Sequence, residues 1–123
     1  MGKPPVILIV EDEPLVRMGA VDTITEAGFE VIEAGNADEA IAVLERRTDI
    51  HLVFTDIHMP GSMDGLRLAH FVRHRWPPVK IIATSGHARI AEADLPEGGR
   101  FLPKPYATHE VIGAIRELVG VGS

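Results

Sequence analysis

The chain has no cysteine. Disulfide scaffolding, thiolate catalysis and cysteine-based zinc sites are excluded on that ground alone, and the lack suits a reducing compartment. Positive charge is also short: 12 Lys+Arg stand against 18 Asp+Glu, a formal net charge of −6. There is no basic run of five residues or more. Such a chain is poorly suited to gripping phosphate backbones, so no nucleic-acid partner is expected. Long apolar runs are missing as well. The run from Val6 to Val10 is too short for a signal-peptide core or a bilayer span, and acidic residues follow it rather than a small-residue cleavage site. A soluble, cytoplasmic protein with no membrane partner is the expectation. No internal repeat or low-complexity tract interrupts the chain, and its 123 residues suit one compact domain, 1–123 with a core of about 5–119.

What is present is an alternation of buried-strand and helix patterns. Val6-Ile7-Leu8-Ile9-Val10, Ile50 to Thr55 and Val79 to Thr84 are near-continuous apolar runs, the pattern of parallel strands covered on both faces. Glu30 to Ala34 alternates like a strand nearer a sheet edge, and Phe101-Leu102 reads as a short final strand. Between them lie helical segments. The first runs from Leu15 to Ala27, with Pro14 at its start, Gly28 at its end and Leu15, Met18, Val21 and Ile24 as its apolar line. The second is capped by Asn36 and carries Ala37, Ala40, Ile41 and Leu44. The third spans about Asp64 to Arg75, and Trp76-Pro77-Pro78 ends it. Thr108 is placed as the cap of a last helix carrying Val111, Ile112, Ile115 and Leu118. The stretch from His87 to Arg100 is least regular. Ile90, Ala91, Ala93 and Leu95 suggest a short helix, which Pro96, Gly98 and Gly99 cut off. Right-handed crossovers then put helices on both faces of an open, doubly wound, five-stranded parallel sheet.

In such α/β folds the working site lies beyond the carboxyl ends of the strands. Those ends carry Glu11, Asp12 and Glu13 after the first strand, Asp56 after the third, Thr84 and Ser85 after the fourth, and Lys104 after the fifth. Crowded carboxylates repel one another and raise one another's pKa values. A divalent cation removes that conflict, and Mg²⁺ suits one or two carboxylates plus phosphate oxygens. Asp56 then has the character of a nucleophile toward phosphorus, with Mg²⁺ and Lys104 supplying positive charge and the Thr84 hydroxyl a hydrogen bond.

Val-Glu-Asp-Glu at 10–13, Thr-Asp-Ile-His-Met-Pro at 55–60, Met-Asp-Gly at 63–65, Ala-Thr-Ser-Gly at 83–86 and Leu-Pro-Lys-Pro-Tyr at 102–106 occur in order on the right elements. In this the chain resembles the receiver domains of bacterial two-component response regulators, of the stand-alone type, over essentially its whole length. The resemblance implies the flavodoxin-like strand order 2-1-3-4-5. It implies Asp56 as phosphoacceptor, Asp12 as direct metal ligand, Glu11 as a ligand through water, and the backbone carbonyl of His58 as a third protein ligand. It further implies Thr84 as the switch hydroxyl, Lys104 as the essential lysine, Phe101 as the aromatic that changes rotamer, and a cis Lys104–Pro105 bond. The implied donor is a sensor histidine kinase or a histidine phosphotransfer protein. The implied output is protein contact with a downstream target, or a homodimer, through the face of the fourth helix, fifth strand and fifth helix. A phosphorelay intermediate or phosphate sink is the alternative.

Two features depart from the family pattern. Gly61 and Ser62 make the loop after Asp56 one residue longer than usual, and the segment from Thr84 to Lys104 is short and rich in helix breakers. Phe101 carries no hydroxyl for a reporting hydrogen bond. Other functions fit worse. His58 stands where an aspartyl phosphatase needs a second carboxylate, and carboxylates follow Val10 where a flavin phosphate would need a glycine-rich loop. His70 and His74 are four apart on one helix, but with no third ligand near they read as an exposed polar face.

Overall fold

The computed structural model describes residues 3–86 and 92–120. Five strands, β1 (Val6–Val10), β2 (Glu30–Ala34), β3 (Ile50–Asp56), β4 (Lys80–Ser85) and β5 (Arg100–Pro103), form one parallel sheet in the order β2-β1-β3-β4-β5. The helices are α1 (Pro14–Glu26), α2 (Ala37–Arg46), α3 (Gly65–Arg75) and α4 (Thr108–Val119). The expected doubly wound α/β architecture and strand order are therefore present.

Each buried strand feeds both faces, because successive side chains alternate. Leu8, Val10, Val53 and Ile81 pack against Ala40, Val43 and Leu44 of α2 and Leu68 and Val72 of α3. Ile7, Ile9, Leu52, Phe54, Ile82 and Leu102 pack against Ile24 of α1 and Val111, Ala114 and Ile115 of α4. The register continues that second face past the strand ends. Asp56 pairs with Thr84, and Thr84 with Leu102. The ladder bonds Glu11 N–H to Ala34 O (3.0 Å) and Lys104 N–H to Ser85 O (2.9 Å) carry β1 and β5 one step further. Period-two alternation thus delivers Glu11, Asp56, Thr84 and Lys104 to one face of one edge.

Local chemistry sets the helix ends. The Asn36 side chain accepts from Glu39 N–H at 2.8 Å, and Asp64 caps α3 by accepting from Arg67 N–H at 2.9 Å. Thr108 is not the cap expected of it: it is the first residue of α4, and the Glu110 carboxylate reaches back to accept from Ala107 N–H at 2.7 Å. Gly28 takes φ +99°, which a glycine adopts without strain.

The apolar line read on α1 also needs correction. Ile24 is fully buried, but Leu15 is 81% and Met18 57% exposed. At 3.6 residues per turn, positions nine apart lie about half a turn from each other, so a line spaced by threes winds off the buried face. Between β4 and β5, residues 87–91 lie outside the described residues, Ile90 and Ala91 of the suggested helix among them. The described part holds a single 3₁₀ turn, Glu92–Asp94, and Leu95 is buried against Ile57 and Ala83.

Candidate functional site

The site is built where β1, β3, β4 and β5 end. Glu11, Asp12 and Asp56 offer carboxylate oxygens that all lie within 4.8 Å of one another. Glu11 is the buried member, only 6% exposed, while Asp12 and Asp56 are half-buried. Burial pushes the Glu11 carboxyl up to about 7, against the pull of its hydrogen bond from Glu13 N–H at 3.1 Å. The negative charge of Asp56 adds a smaller push in the same direction. Mutual repulsion, the cause expected from sequence, is thus secondary to desolvation.

Lys104 closes the cluster. Its Nζ donates to Asp56 Oδ2 at 3.1 Å and stands 3.7 Å from Glu11 Oε1. Burial alone lowers the pKa of this ammonium, but the hydrogen bond and charge of Asp56, with Glu11, outweigh that and raise it. The Lys104–Pro105 bond is cis, as the family resemblance implies. Thr84 is 1% exposed and registers directly with Asp56, so the two side chains share one face, whereas Ser85 turns to the other.

Asp56 is held by its own backbone neighbours. His58 N–H donates to Asp56 Oδ1 at 3.2 Å, Thr55 Oγ1 donates to Asp56 O at 2.9 Å, and Ile57 N–H donates to Thr84 O at 2.9 Å. The His58 side chain is exposed. Phe101 lies on the opposite face, half-buried with Ile57, Ala83, Leu95 and Leu66. Its N–H donates to Glu92 Oε2 at 3.3 Å. Among the described residues, Glu11, Asp12 and Asp56 form the one group of three or more potential metal ligands from acidic, histidine and cysteine side chains. His70 and His74 are exposed, and His70 Nε2 instead hydrogen-bonds with Asp94 O at 3.0 Å.

A family model, the response regulator receiver domain, matches residues 7–116. The chain belongs to that family. Among curated relatives, the receiver protein CpdR of Brucella abortus (strain 2308) is 30% identical over 116 residues, which are 92% of this chain and 95% of that protein. The sensor kinase CckA of the same organism is 36% identical over 117 residues, 92% of this chain but 12% of that protein. The chain likewise spans 23% of the response regulator FleR of Pseudomonas aeruginosa. Among solved structures, a receiver protein from Sinorhizobium medicae WSM419 matches with a TM-score of 0.89 at 29% identity over 97% of both chains. TrrA of Thermotoga maritima, solved in complex with Mg(2+)-BeF, matches with a TM-score of 0.81 at 26% identity, over 93% of this chain and 98% of that one.

Receiver domains are regulatory phosphoacceptors that bind Mg²⁺ at an acidic pocket, and this receiver has such a pocket in Glu11, Asp12 and Asp56. The donor set fits the ion: hard carboxylate oxygens, one of them kept from ionising freely by burial, beside a lysine that already neutralises part of their charge. No helix among the described residues is long and apolar enough to cross a membrane.

Several contacts that shape the site are not readable from the motifs, although Gly65 and Tyr106 stand in them. Gly65 packs so closely that a Cβ there would lie 1.9 Å from the Asp56 carbonyl oxygen. Ser62, in the lengthened loop, donates to Asp38 Oδ1 at 2.6 Å and ties that loop to α2. Tyr106 packs edge-on to Phe54, with ring centroids 6.0 Å apart, under the Lys104 loop. Arg17 of α1 donates to the backbone carbonyl of Glu11 at 2.7 Å. A lone arginine on a helix gives no sequence signal for such a role, although a cation placed near a helix N-terminus runs against the helix dipole.

Proposed function

We propose that this receiver accepts a phosphoryl group on Asp56, from a sensor histidine kinase or a histidine phosphotransfer protein, and signals through protein contacts in the cytoplasm. The observation that carries the reading is the approach of Lys104 Nζ to Asp56 Oδ2, 3.1 Å, inside a cluster of three carboxylates. The Asp56 carboxylate oxygen forms the new bond to phosphorus as the bond from phosphorus to the donor's imidazole nitrogen breaks. Asp12, Asp56 and the His58 backbone carbonyl would hold Mg²⁺, with Glu11 acting through water. The ion, when bound, neutralises charge on the phosphoryl oxygens. Lys104 then exchanges its bond to the free carboxylate for one to a phosphoryl oxygen, and Thr84 donates its hydroxyl to another.

Inward movement of Thr84 draws Phe101 with it and changes the face built from residues 92–103 and α4. That face meets a downstream protein or a second copy of the chain. The donor covers the pocket from the α1 side. Leu15, Val16 and Met18 are the exposed large apolar residues there, beside a groove of about 300 Å³ lined by Leu15, Ile24, Phe54, Tyr106 and Val111.

The test is to incubate the protein with acetyl phosphate and Mg²⁺ and weigh it intact. Wild type should gain the mass of one phosphoryl group and Asp56→Asn none. No gain by wild type, or an equal gain by the variant, overturns the reading.

A further inference from the structure

We propose that Arg17 is a positioning residue for the metal pocket, fixing the peptide plane that joins Glu11 to Asp12. The inference rests on the reading of the acidic pocket as a Mg²⁺ site. Both backbone groups of Glu11 are pinned. Its N–H donates to Ala34 O at 3.0 Å, and its carbonyl accepts from Arg17 Nη1 at 2.7 Å. The carbonyl of residue 11 and the N–H of residue 12 belong to one rigid peptide unit. Holding that carbonyl therefore sets the direction in which Asp12 leaves the strand.

The guanidinium is itself anchored. Its Nε donates to Glu33 Oε1 at 3.1 Å, near the end of β2, and the arginine side chain is only 24% exposed. Gly35 lies beside it: a Cβ there would stand 3.4 Å from Nη1, an ordinary contact, and 3.3 Å from Glu39 Oε1. The same small cavity is lined by Arg17, Glu33, Ala34, Gly35 and Glu39. One fork thus spans α1, the first loop and the second strand.

Helix α1 gains little from this residue. A cation in its opening turns opposes the dipole, its first turn carries no acidic residue, and its N-cap, Glu13, makes no side-chain cap bond. An arginine that turns back from such a place serves the loop. Planar, two-pronged donation is what arginine supplies and lysine does not.

Charge and positioning predict opposite signs, which makes the proposal testable by Mg²⁺ titration calorimetry on the unphosphorylated protein. A bare positive charge near the pocket repels Mg²⁺, so its removal would tighten binding. A positioning role predicts that Arg17→Ala weakens Mg²⁺ binding about tenfold, as loss of a residue orienting a metal ligand commonly does. Arg17→Lys should bind Mg²⁺ no more tightly than Arg17→Ala, because it restores the repelling charge without the fork. The exposed Glu33→Ala removes the acceptor of Arg17 Nε while keeping the fold secure, and should weaken binding less than Arg17→Ala does. Melting in EDTA reports any loss of stability separately. Arg17→Ala binding Mg²⁺ as tightly as wild type, or more tightly, overturns the proposal while leaving the phosphoacceptor reading intact. Failure of wild type to bind Mg²⁺ overturns both.

Discussion

Asp56 closes a seven-residue strand with a paired neighbour on each side, whereas Phe101 lies on a four-residue strand at the edge of the same sheet. The ties differ in kind as well. Around Asp56 they are ladder bonds, the turn closed by His58 N–H and the Lys104 contact. Phe101 pairs with Ala83 in the ladder on one side alone, and its further ties are single side chains reaching across loops. His70 meets Asp94 O, Arg73 Nε donates to Glu97 O at 3.3 Å, Glu92 accepts from Phe101 N–H, and Arg100 Nη2 pairs with Glu117 Oε1 at 2.5 Å. Exposed ties of that sort contribute little each. The proposed phosphoacceptor therefore stands on the more heavily tied part of the edge, and the proposed output segment on the part that opens at smaller cost.

Substitutions that break the first region should have the largest effects. Lys104→Ala leaves Glu11 and Asp56 facing each other without a cation and removes a donor to the phosphoryl oxygens. Phosphorylation by acetyl phosphate should slow about 100-fold, the usual cost of losing a transition-state donor, measured by mass against time. Gly65→Ala forces a methyl group onto the Asp56 backbone. It should cost about 3 kcal/mol in urea unfolding, since backbone on an interior strand cannot yield cheaply.

The raised Glu11 carboxyl gives the region a pH signature. Because its folded pKa of about 7 lies above its ordinary 4.5, the metal-free protein is favoured with Glu11 protonated. That contribution is complete below about pH 4.5 and is lost as pH rises through about 7, on the order of 2 kcal/mol. Urea titrations in EDTA should show the fall. Saturating Mg²⁺, which selects the ionised form, should flatten it, and removing the metal should restore it.

The second region should respond more weakly and in another property. Glu92→Gln removes the carboxylate from Phe101 N–H and from Arg100, 3.9 Å away. Stability should fall by about 0.5 kcal/mol or less, and the phosphorylation rate should stay within twofold of wild type. Hydrogen exchange at residues 92–103 should nonetheless quicken. Leu15→Asp gives a complementary contrast on α1: transfer from a cognate kinase should fall at least tenfold while the reaction with acetyl phosphate is unchanged.

How much of this was legible in the sequence follows the same division. The buried strands announce themselves as β-branched runs, and polar or charged residues follow their ends, so the gathering of Glu11, Asp12, Asp56, Thr84 and Lys104 at one edge was legible without coordinates. The half-buried and edge elements were read less well. The α1 line from Leu15 to Ile24 fails because spacing alone does not say which third of a helix faces the sheet. The cap position falls on Ala107 rather than Thr108, with Glu110 accepting from the Ala107 N–H, a one-residue shift that composition does not resolve. Arg17 acts on a backbone atom of another segment, a contact that leaves no local pattern, and the Met-Asp-Gly motif holds Gly65 without showing that it packs on the Asp56 backbone.

The most direct test of the account is to identify the modified side chain. After reaction with acetyl phosphate and Mg²⁺, borohydride reduces an aspartyl phosphate to homoserine, which peptide sequencing by mass spectrometry locates. The account predicts homoserine at position 56 alone, absent without Mg²⁺ and strongly reduced in Lys104→Ala. Homoserine at position 12, or none at position 56, would contradict it.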